Sequence, residues 1–276
     1  MRNAPPEPLI LTGSQRSGTS FLAKIVGKHP AAFVTIDGKL LYYLVVWLLR
    51  GADAEAPHPR VDEVAHALRR KRIHGITPEQ NETFVRAVEA GLSPEEARLP
   101  PVEIARRLWD RAYASVAGGQ SVIGDKYNEY LLQLDEIAAI LPGARYVFIH
   151  RHPAACAASM LERFAGRPWR PPDLVASFAK WAVWNERWIR FRGSLTPGRA
   201  LEVDYEALAV DFRGELARIF EFLGLERDEA VIDAAASDFR PTTQAKYGGV
   251  LQDYRSALTP HVREVAGQLG RSIDRD

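Results

Sequence analysis

Short apolar runs alternate with helical patterns along most of the chain. In the runs, apolar residues follow one another without polar interruption, which is typical of strands covered on both faces of a parallel sheet. Two such runs predict strands at residues 9–13 and 145–151, and residues 121–125 and 200–205 are the expected third and fourth strands. Helical spacing marks residues 131–143 and 212–225, and Gly224 is the expected C-terminal cap of the second helix. The alternation predicts an α/β fold with a central, mainly parallel sheet.

The segment from about residue 50 to residue 119 differs in composition from its surroundings. It is rich in Ala, Arg and Glu, is interrupted by six prolines and contains no pattern of a strand. The adjoining apolar run at residues 40–49 is too short to cross a bilayer and is typical of a buried helix or of a pocket wall. We therefore predict one domain over residues 1–276, with a helical insertion or cap at about residues 50–119.

Charge and cysteine content narrow the class of protein. The formal net charge is +1, from 36 Lys and Arg against 35 Asp and Glu, so the chain lacks the basic excess of a general nucleic-acid or membrane-surface protein. The single cysteine, Cys156, excludes an intramolecular disulfide and fits a reducing compartment. The first eight residues lack the apolar core of a signal peptide. We expect a soluble, cytoplasmic protein with no membrane span and no nucleic-acid partner.

The stretch GSQRSGTS at residues 13–20 lies between the first predicted strand and a helical run. Gly13 and Gly18 have the spacing of the nucleotide-binding signature G-x-x-x-x-G-K-[ST], but Thr19 replaces the lysine and Arg16 carries the positive charge. Such a turn directs backbone N–H groups and the positive end of a helix toward one point, which favours phosphate or sulfate. The alternative is an ordinary strand-to-helix turn. Further hydroxyl donors are Ser17, Thr19 and Ser20.

A second anion-binding pattern lies in YVFIHRHPAACAASMLERF, residues 146–164. A predicted strand ends at Arg151, Pro153 begins the turn into a helix, and Ser159 follows Arg151 by eight residues. Ligands of open α/β sheets bind at the carboxyl ends of the strands, and the forked guanidinium group suits phosphate oxygens. Taken alone, Arg151 is equally compatible with a structural ion pair, and Ser159 with a tolerated helix residue. Together they predict a second phosphate site.

These two segments resemble the sulfotransferases that use 3′-phosphoadenosine 5′-phosphosulfate (PAPS). QRSGTSFL resembles their 5′-phosphosulfate loop, in which Arg or Lys precedes Ser-Gly-Thr-[ST], and the strand, arginine, proline turn and helical serine resemble their 3′-phosphate site. The resemblance implies PAPS as co-substrate, no metal, and a P-loop-like fold of three layers. The nucleotide-binding residues that it implies are Arg16, Ser17, Gly18, Thr19, Ser20, Arg151 and Ser159.

Three further segments extend the resemblance. VIGDKYNEY, residues 122–130, is similar to a GDK-like segment of the bacterial and tyrosylprotein enzymes, which implies that Lys126 neutralises a sulfonate oxygen or the leaving group. VDYEALAVDFRGELARIFEFLGL, residues 203–225, is similar to a region where a tyrosine faces the nucleotide, here Tyr205. AKYGGV, residues 245–250, is more loosely similar to a loop that closes over the nucleotide, with Lys246, Gly248 and Gly249.

Asp37 is the expected general base. Cytosolic sulfotransferases use a histidine two residues after the position of Lys126, where this chain has Asn128, and an amide is too weak a proton acceptor. The tyrosylprotein branch uses an acid 21 residues after the loop arginine, and the same distance from Arg16 leads to Asp37. An Asp-Gly pair is also a common solvated turn. The reserve candidates are Glu129 and His152.

Two other functions remain compatible with the loop. A P-loop kinase needs a lysine after Gly18 and an acid at the end of a strand to hold Mg²⁺; the lysine is absent, but Asp125 is a candidate for the acid. A catalytically inactive nucleotide-binding protein is the second alternative. For a sulfotransferase, the expected acceptor is a hydroxyl group of a carbohydrate or small metabolite, with the helical insertion on the acceptor side and Arg16 at the bridging oxygen or 5′-phosphate.

Overall fold

The computed structural model describes residues 6–50, 60–241 and 254–273. Five strands form one sheet in the order β2-β3-β1-β4-β5, in which β3 pairs in parallel with both β1 and β2. The predicted α/β fold with a mainly parallel central sheet is therefore confirmed. The strands are β1 (Glu7–Thr12), β2 (Ala32–Ile36), β3 (Val122–Lys126), β4 (Arg145–His150) and β5 (Ala200–Asp204).

Twelve α-helices lie in the described ranges. None of these helices combines the length and the apolar character needed to cross a membrane. A π-helical turn (Val45–Leu49) and 3₁₀ segments at Glu96–Arg98, Asn128–Leu132 and Tyr254–Ala257 complete the regular structure. The helices are α1 (Thr19–Val26), α2 (Leu40–Leu44), α3 (Val61–Arg69), α4 (Pro78–Glu89), α5 (Pro101–Ala114), α6 (Leu134–Ile140), α7 (Pro153–Arg163), α8 (Leu174–Arg192), α9 (Tyr205–Val210), α10 (Phe212–Phe222), α11 (Glu229–Asp238) and α12 (Pro260–Gln268).

The sequence pattern located four of the strands within two residues of their observed bounds but missed β2. The expected helix at residues 131–143 is shorter, because a 3₁₀ segment precedes α6. The expected helix at residues 212–225 forms α10, and Gly224 takes a left-handed φ of 67° just after it, as predicted for a C-terminal cap. The apolar run at residues 40–49 forms α2 and the π-helical turn.

The chain divides into two compact units, of which the first comprises Met1–Leu11 and Ala23–Tyr146. In this unit β3 approaches β1 so closely that a Cβ on Gly124 would lie 2.6 Å from the carbonyl oxygen of Leu9. The register pairs Thr35 of β2 with Asp125 of β3, so polar residues meet at the carboxyl ends of these strands. Helix α4 packs against both α3 and α5, and the ring of Tyr113 in α5 lies 4.0 Å from that of Trp109 and 5.1 Å from that of Phe84 in α4.

The second unit comprises Thr12–Leu22 and Val147–Asp276. Its core centres on α8, where Trp181 and Trp188 are fully buried at helical spacing. The ring of Trp188 stacks on that of Phe148 in β4, with centroids 4.5 Å apart and an interplanar angle of 7°. Almost all of α7 is buried as well. These aromatic contacts give β4 a rigid support, so the residues that follow it start from a fixed point.

Candidate functional site

The turn after β1 has room only for glycine at two positions. A Cβ on Gly13 would lie 2.2 Å from the carbonyl oxygen of Ile149, and a Cβ on Gly18 would lie 2.9 Å from Cδ2 of Tyr205. Gly18 also has a φ of 105°, which residues with a Cβ rarely adopt. The signature spacing of the two glycines is therefore required by the close approach of this turn to other parts of the second unit.

Arg16 and Ser17 shape the tip of the turn. Ser17 is buried, and both its N–H and its hydroxyl donate to the carbonyl of Ser14, at 3.2 Å and 2.7 Å. Arg16 has a left-handed φ of 69° and is exposed, and its Nε donates to Oγ of Ser159 at 3.0 Å. The first residues of α1 follow, with Thr19 buried and Ser20 exposed. The Arg16–Ser159 bond thus joins the two predicted anion-binding segments.

Arg151 follows directly on β4 and its side chain is only 6% exposed. The guanidinium carbon lies 4.1 Å from the ring centroid of Tyr205, a cation–π distance. Nε lies 3.9 Å from Oε1 of Glu206, and the backbone carbonyl accepts from Nε1 of Trp181 at 3.2 Å. The arginine is thus held between an aromatic face and a carboxylate, with its backbone anchored to the core.

The second unit therefore brings together residues from three separated segments. Two arginines, a serine hydroxyl and the N-terminus of α1 make a local positive region in a chain whose net charge is only +1. Forked cations and helix N-termini of this kind suit phosphate or sulfate groups. The residues brought together are Arg16, Gly18, Arg151, Ser159 and Tyr205. The predicted residues Lys246, Gly248 and Gly249 lie outside the described residues.

In the first unit, Asp37 and Lys126 form an ion pair. Nζ of Lys126 lies 3.0 Å from Oδ1 of Asp37, and the N–H of Asp37 donates to the carbonyl of Lys126 at 2.7 Å. The lysine side chain is 4% exposed and the aspartate side chain 38%, so the carboxylate is the accessible member of the pair. A partly exposed carboxylate beside a buried cation has the chemistry of a proton acceptor next to a group that neutralises negative charge.

The turn that carries Asp37 is strained. Asp37 and Lys39 have left-handed φ angles of 56° and 61°, on either side of Gly38. The carboxylate of Asp125 holds this turn by accepting from the N–H groups of Gly38 at 3.0 Å and Lys39 at 3.1 Å. Such strain persists only where the surroundings fix the backbone. Asp125 therefore fixes the direction in which Asp37 leaves the turn.

Asp125 is fully buried and engages side chains as well as backbone. Oδ1 accepts from the hydroxyl of Thr35 at 2.8 Å, and Oδ2 accepts from that of Tyr130. Burial raises the pKa of the Asp125 carboxyl, and the hydrogen bonds from Tyr130 and Thr35 oppose the rise. The acid that would serve a kinase as a Mg²⁺ ligand is thus committed to the fold of the first unit.

Replacing Asp125 with alanine is expected to lower the free energy of unfolding by about 2–4 kcal/mol, because four donors lose a buried acceptor. Urea denaturation measures the change. Asp135→Ala, at an exposed position in the first turn of α6, is the matched control and should change the value by less than about 0.5 kcal/mol. Equal stability of the two variants would contradict this role of Asp125.

Of the two reserve bases, His152 is committed to a helix end. Its Nδ1 accepts from the N–H of Ala154 at 3.2 Å, so the side chain caps α7. Glu129 lies in the 3₁₀ segment after β3 and is partly exposed. Asp37, which pairs with Lys126, has the more suitable setting for proton transfer.

Glu206, which lies close to Arg151, belongs to a cluster of charged residues in the second unit. Nε of Arg271 donates to Nδ1 of His150 at 2.6 Å, and its Nη1 donates to Oε2 of Glu206 at 2.7 Å. Burial, together with the charge of Arg271, lowers the pKa of His150 to about 4. The imidazole is therefore neutral near pH 7, with Nδ1 as the acceptor. No sequence pattern singled out Glu206 or Arg271.

The neutral His150 predicts a pH dependence of stability. Because its pKa is lower in the folded protein than its ordinary value of 6.5, the unfolded chain binds the extra proton first as the pH falls. The contribution of neutral His150 to the free energy of unfolding is complete above about pH 6.5. As the pH falls toward 4, about 2–3 kcal/mol of it is lost. Between pH 7 and pH 4 the free energy of unfolding should change less in His150→Asn than in the wild type. Denaturation curves recorded at each pH measure this change. His66 is exposed, so His66→Asn should keep the wild-type dependence of unfolding free energy on pH. If His150→Asn shows that same dependence, the prediction is wrong.

Comparison with known proteins gives the same fold. The model of the sulfotransferase family matches residues 8–229. The sulfotransferase domain of the Synechococcus PCC 7002 olefin synthase is 22% identical, with a TM-score of 0.61 over 99% of this chain and 97% of that one. The sulfotransferase domain of the curacin biosynthetic pathway is 16% identical, with a TM-score of 0.63 over 98% and 99%. A sulfotransferase from Mycobacterium tuberculosis H37Rv is 21% identical, with a TM-score of 0.53 over 96% and 76%. No curated protein matches the chain.

Proposed function

This chain belongs to the sulfotransferase family, and we propose that it transfers the sulfuryl group of PAPS to a hydroxyl group of a carbohydrate or small metabolite. The observation that carries the proposal is the hydrogen bond between Arg16 and Ser159, which are 143 residues apart in the chain. It unites a loop suited to a 5′-phosphosulfate with a segment suited to a 3′-phosphate. PAPS carries both groups, whereas ATP has no 3′-phosphate.

The residues of the second unit fit this donor. Backbone N–H groups from Gly18 to Ser20 and the N-terminus of α1 would hold the 5′-phosphosulfate, with Arg16 at the bridging oxygen. Arg151 and Ser159 would hold the 3′-phosphate, and Tyr205, already in contact with Arg151, would face the nucleotide. From the resemblance alone, we assign the closing loop to Lys246, Gly248 and Gly249. When bound, PAPS supplies the sulfuryl group and a stable leaving group.

Asp37 and Lys126 of the first unit would carry the acid–base chemistry. We assign to Asp37 the proton of the acceptor hydroxyl, which it takes as the oxygen bonds to sulfur and the sulfur–oxygen bond to the 5′-phosphate breaks. We assign to Lys126 the neutralisation of negative charge on the sulfonate or on the leaving group. The 3.0 Å ion pair supports these roles, because the lysine orients the carboxylate and places a positive charge beside it.

The remaining part of the proposed site is the acceptor side. We assign it to the helical segment at about residues 50–119, of which the described part forms α3, α4 and α5. We also propose that the protein is a single catalytic domain that works in the cytoplasm, since it has one cysteine and belongs to a class that uses a soluble nucleotide donor.

Incubation with sulfur-labelled PAPS and a panel of carbohydrates and small hydroxylated metabolites tests the proposed reaction. Wild-type protein should transfer label to at least one hydroxyl compound, and Arg16→Ala should transfer far less. If the same panel receives phosphate from labelled ATP and no sulfur from PAPS, the proposed function is wrong and the kinase alternative is correct. The panel also includes small amines, and label recovered only on these amines would refute the hydroxyl acceptor.

A further inference from the structure

Arg271 reaches its place through the end of α12. The N–H of Arg271 donates to the carbonyl of Ala266 at 2.9 Å, and the N–H of Gly270 donates to that of Gly267 at 2.9 Å. Gly270 has a φ of 71°. These two bonds and the left-handed glycine form a Schellman motif, a common way to end a helix. The sequence QLGR therefore ends the helix and sends the arginine side chain back into the second unit.

The guanidinium group of Arg271 contacts three elements of that unit: the last residue of β4, the last residue of β5 and the first turn of α9. Nε and Nη2 donate to Nδ1 and the carbonyl oxygen of His150, at 2.6 Å and 3.1 Å. Nη1 donates to Glu206 at 2.7 Å, and Nη2 lies 2.9 Å from Oδ1 of Asp204. The side chain is 6% exposed. The buried guanidinium group of Arg271 thus connects the last residue of β4 to the first turn of α9. Arg151 comes directly after that residue of β4.

Glu206 is shared between the two arginines. Its Oε1 lies 3.9 Å from Nε of Arg151 and accepts from the N–H of His152 at 3.2 Å, while its Oε2 accepts from Arg271. A carboxylate that close to Arg151 competes with any phosphate for the same guanidinium group. Arg271 supplies a second cation to Glu206 at shorter distance, so that Arg151 does not have to balance the carboxylate alone.

The guanidinium group of Arg271 also orients Tyr205, through Asp204. Asp204 caps α9 by accepting from the N–H groups of Glu206 at 2.7 Å and Ala207 at 3.1 Å. Burial works against the charge of Asp204, but Arg271 and these backbone donors together lower the pKa of the carboxyl. Asp204 is therefore an ionised cap that Arg271 holds in place. Tyr205, which lies between the two acids in sequence, supports Arg151 with its ring.

We infer that Arg271 is a positioning residue of the nucleotide site: it engages Glu206 and fixes α9 so that Arg151 is directed to the 3′-phosphate. The inference rests on the proposed function, since it takes the 3′-phosphate of PAPS to be the ligand of Arg151. The guanidinium group of Arg271 is engaged by His150, Glu206 and Asp204, so Arg271 would act on the nucleotide through Arg151. Its contribution lies in the charge balance and orientation of Arg151.

The test compares two ligands that differ by one phosphate group. Adenosine 3′,5′-bisphosphate (PAP) carries the 3′-phosphate, and adenosine 5′-monophosphate (AMP) lacks it. Calorimetry should show that Arg271→Met weakens PAP about tenfold or more, with less than a twofold change for AMP. The matched control is Arg263→Met, at a partly exposed position on α12, which should leave both affinities unchanged.

A second substitution separates charge balance from simple loosening. Adding Glu206→Gln to Arg271→Met removes the competing carboxylate and should return PAP affinity to within about threefold of wild type. If Arg271→Met does not fold, as judged by circular dichroism, Arg271→Lys replaces it, with a smaller selective loss of PAP expected because the charge remains without the fork.

The outcomes that would overturn the inference are distinct from failure of the proposed function. If the wild type binds PAP and the Arg271 variant binds it with the same affinity, the inference is wrong but the proposed function stands. Equal losses for PAP and AMP, or no recovery with Glu206→Gln, would have the same consequence, because a merely structural arginine gives those results. Failure of the wild-type protein to bind PAP would refute the proposed function and the inference with it.

Discussion

Arg151→Ala is expected to weaken the binding of PAP about a hundredfold or more. The side chain is almost completely buried, lies against the ring of Tyr205 and follows a strand that is anchored in the aromatic core. A buried forked cation loses little freedom when it binds a phosphate, and truncation of one partner of such a charged pair costs about 2–5 kcal/mol. Calorimetric titration of PAP into the wild type and the variant measures the change.

The control for Arg151 is Arg163→Ala, on the same unit and at an exposed position near the end of α7. It removes the same charge from the protein, so a general effect of net charge would appear in both variants. Titration with AMP should distinguish the two variants further. Because AMP lacks the 3′-phosphate, Arg151→Ala should weaken AMP binding much less than PAP binding. Unchanged PAP affinity in Arg151→Ala would remove this residue from the proposed nucleotide site.

Asp37→Asn is expected to lower turnover by about 10²–10⁴-fold while PAP binding stays within about twofold of wild type. The amide keeps an oxygen that can accept from Lys126, so the ion-pair geometry is disturbed little, but it cannot take a proton from an acceptor hydroxyl. The rate of label transfer from PAPS, with an acceptor from the hydroxyl panel, measures turnover. Calorimetry with PAP measures binding.

Asp62→Asn is the matched control for the candidate base, since Asp62 is an exposed acid in the first turn of α3 of the same unit. It should keep wild-type turnover. Full turnover in Asp37→Asn would show that another group removes the proton, and Glu129 would then be the next residue to replace. A parallel loss of PAP binding would instead indicate that Asp37 acts through the fold.

Two of the predicted strands, β1 and β4, contain the continuous apolar runs that are expected of strands buried on both faces. β2, with the sequence AFVTI, was missed, and its length is not the reason, since β3 and β5 also have five residues each. What makes this segment a strand is its parallel pairing with β3, about 90 residues away in the chain. Local sequence does not contain that information.

The same distinction holds for the site. Arg16, Arg151 and Ser159 could be found because each stands at a fixed distance from a glycine, a strand end or another of the three. Their hydrogen bond and the ring of Tyr205 needed the structure. Asp125 holds residues 86 to 90 positions away, and Arg271 contacts Glu206 and His150, which are 65 and 121 positions away; neither belongs to a short motif that names such a role. Sequence patterns therefore pointed to the residues that we propose to face the ligand, whereas the residues that position them needed the structure.

The central claim is that the loop from Gly13 to Ser20 serves a phosphosulfate donor with a 3′-phosphate, with Arg16 in place of the lysine of an ATP loop. Competition between PAP and ATP for the wild-type protein, with and without Mg²⁺, tests it most directly. The account predicts that PAP binds much more tightly than ATP and that removal of Mg²⁺ leaves the affinity for PAP unchanged. Preferential, Mg²⁺-dependent binding of ATP would contradict it.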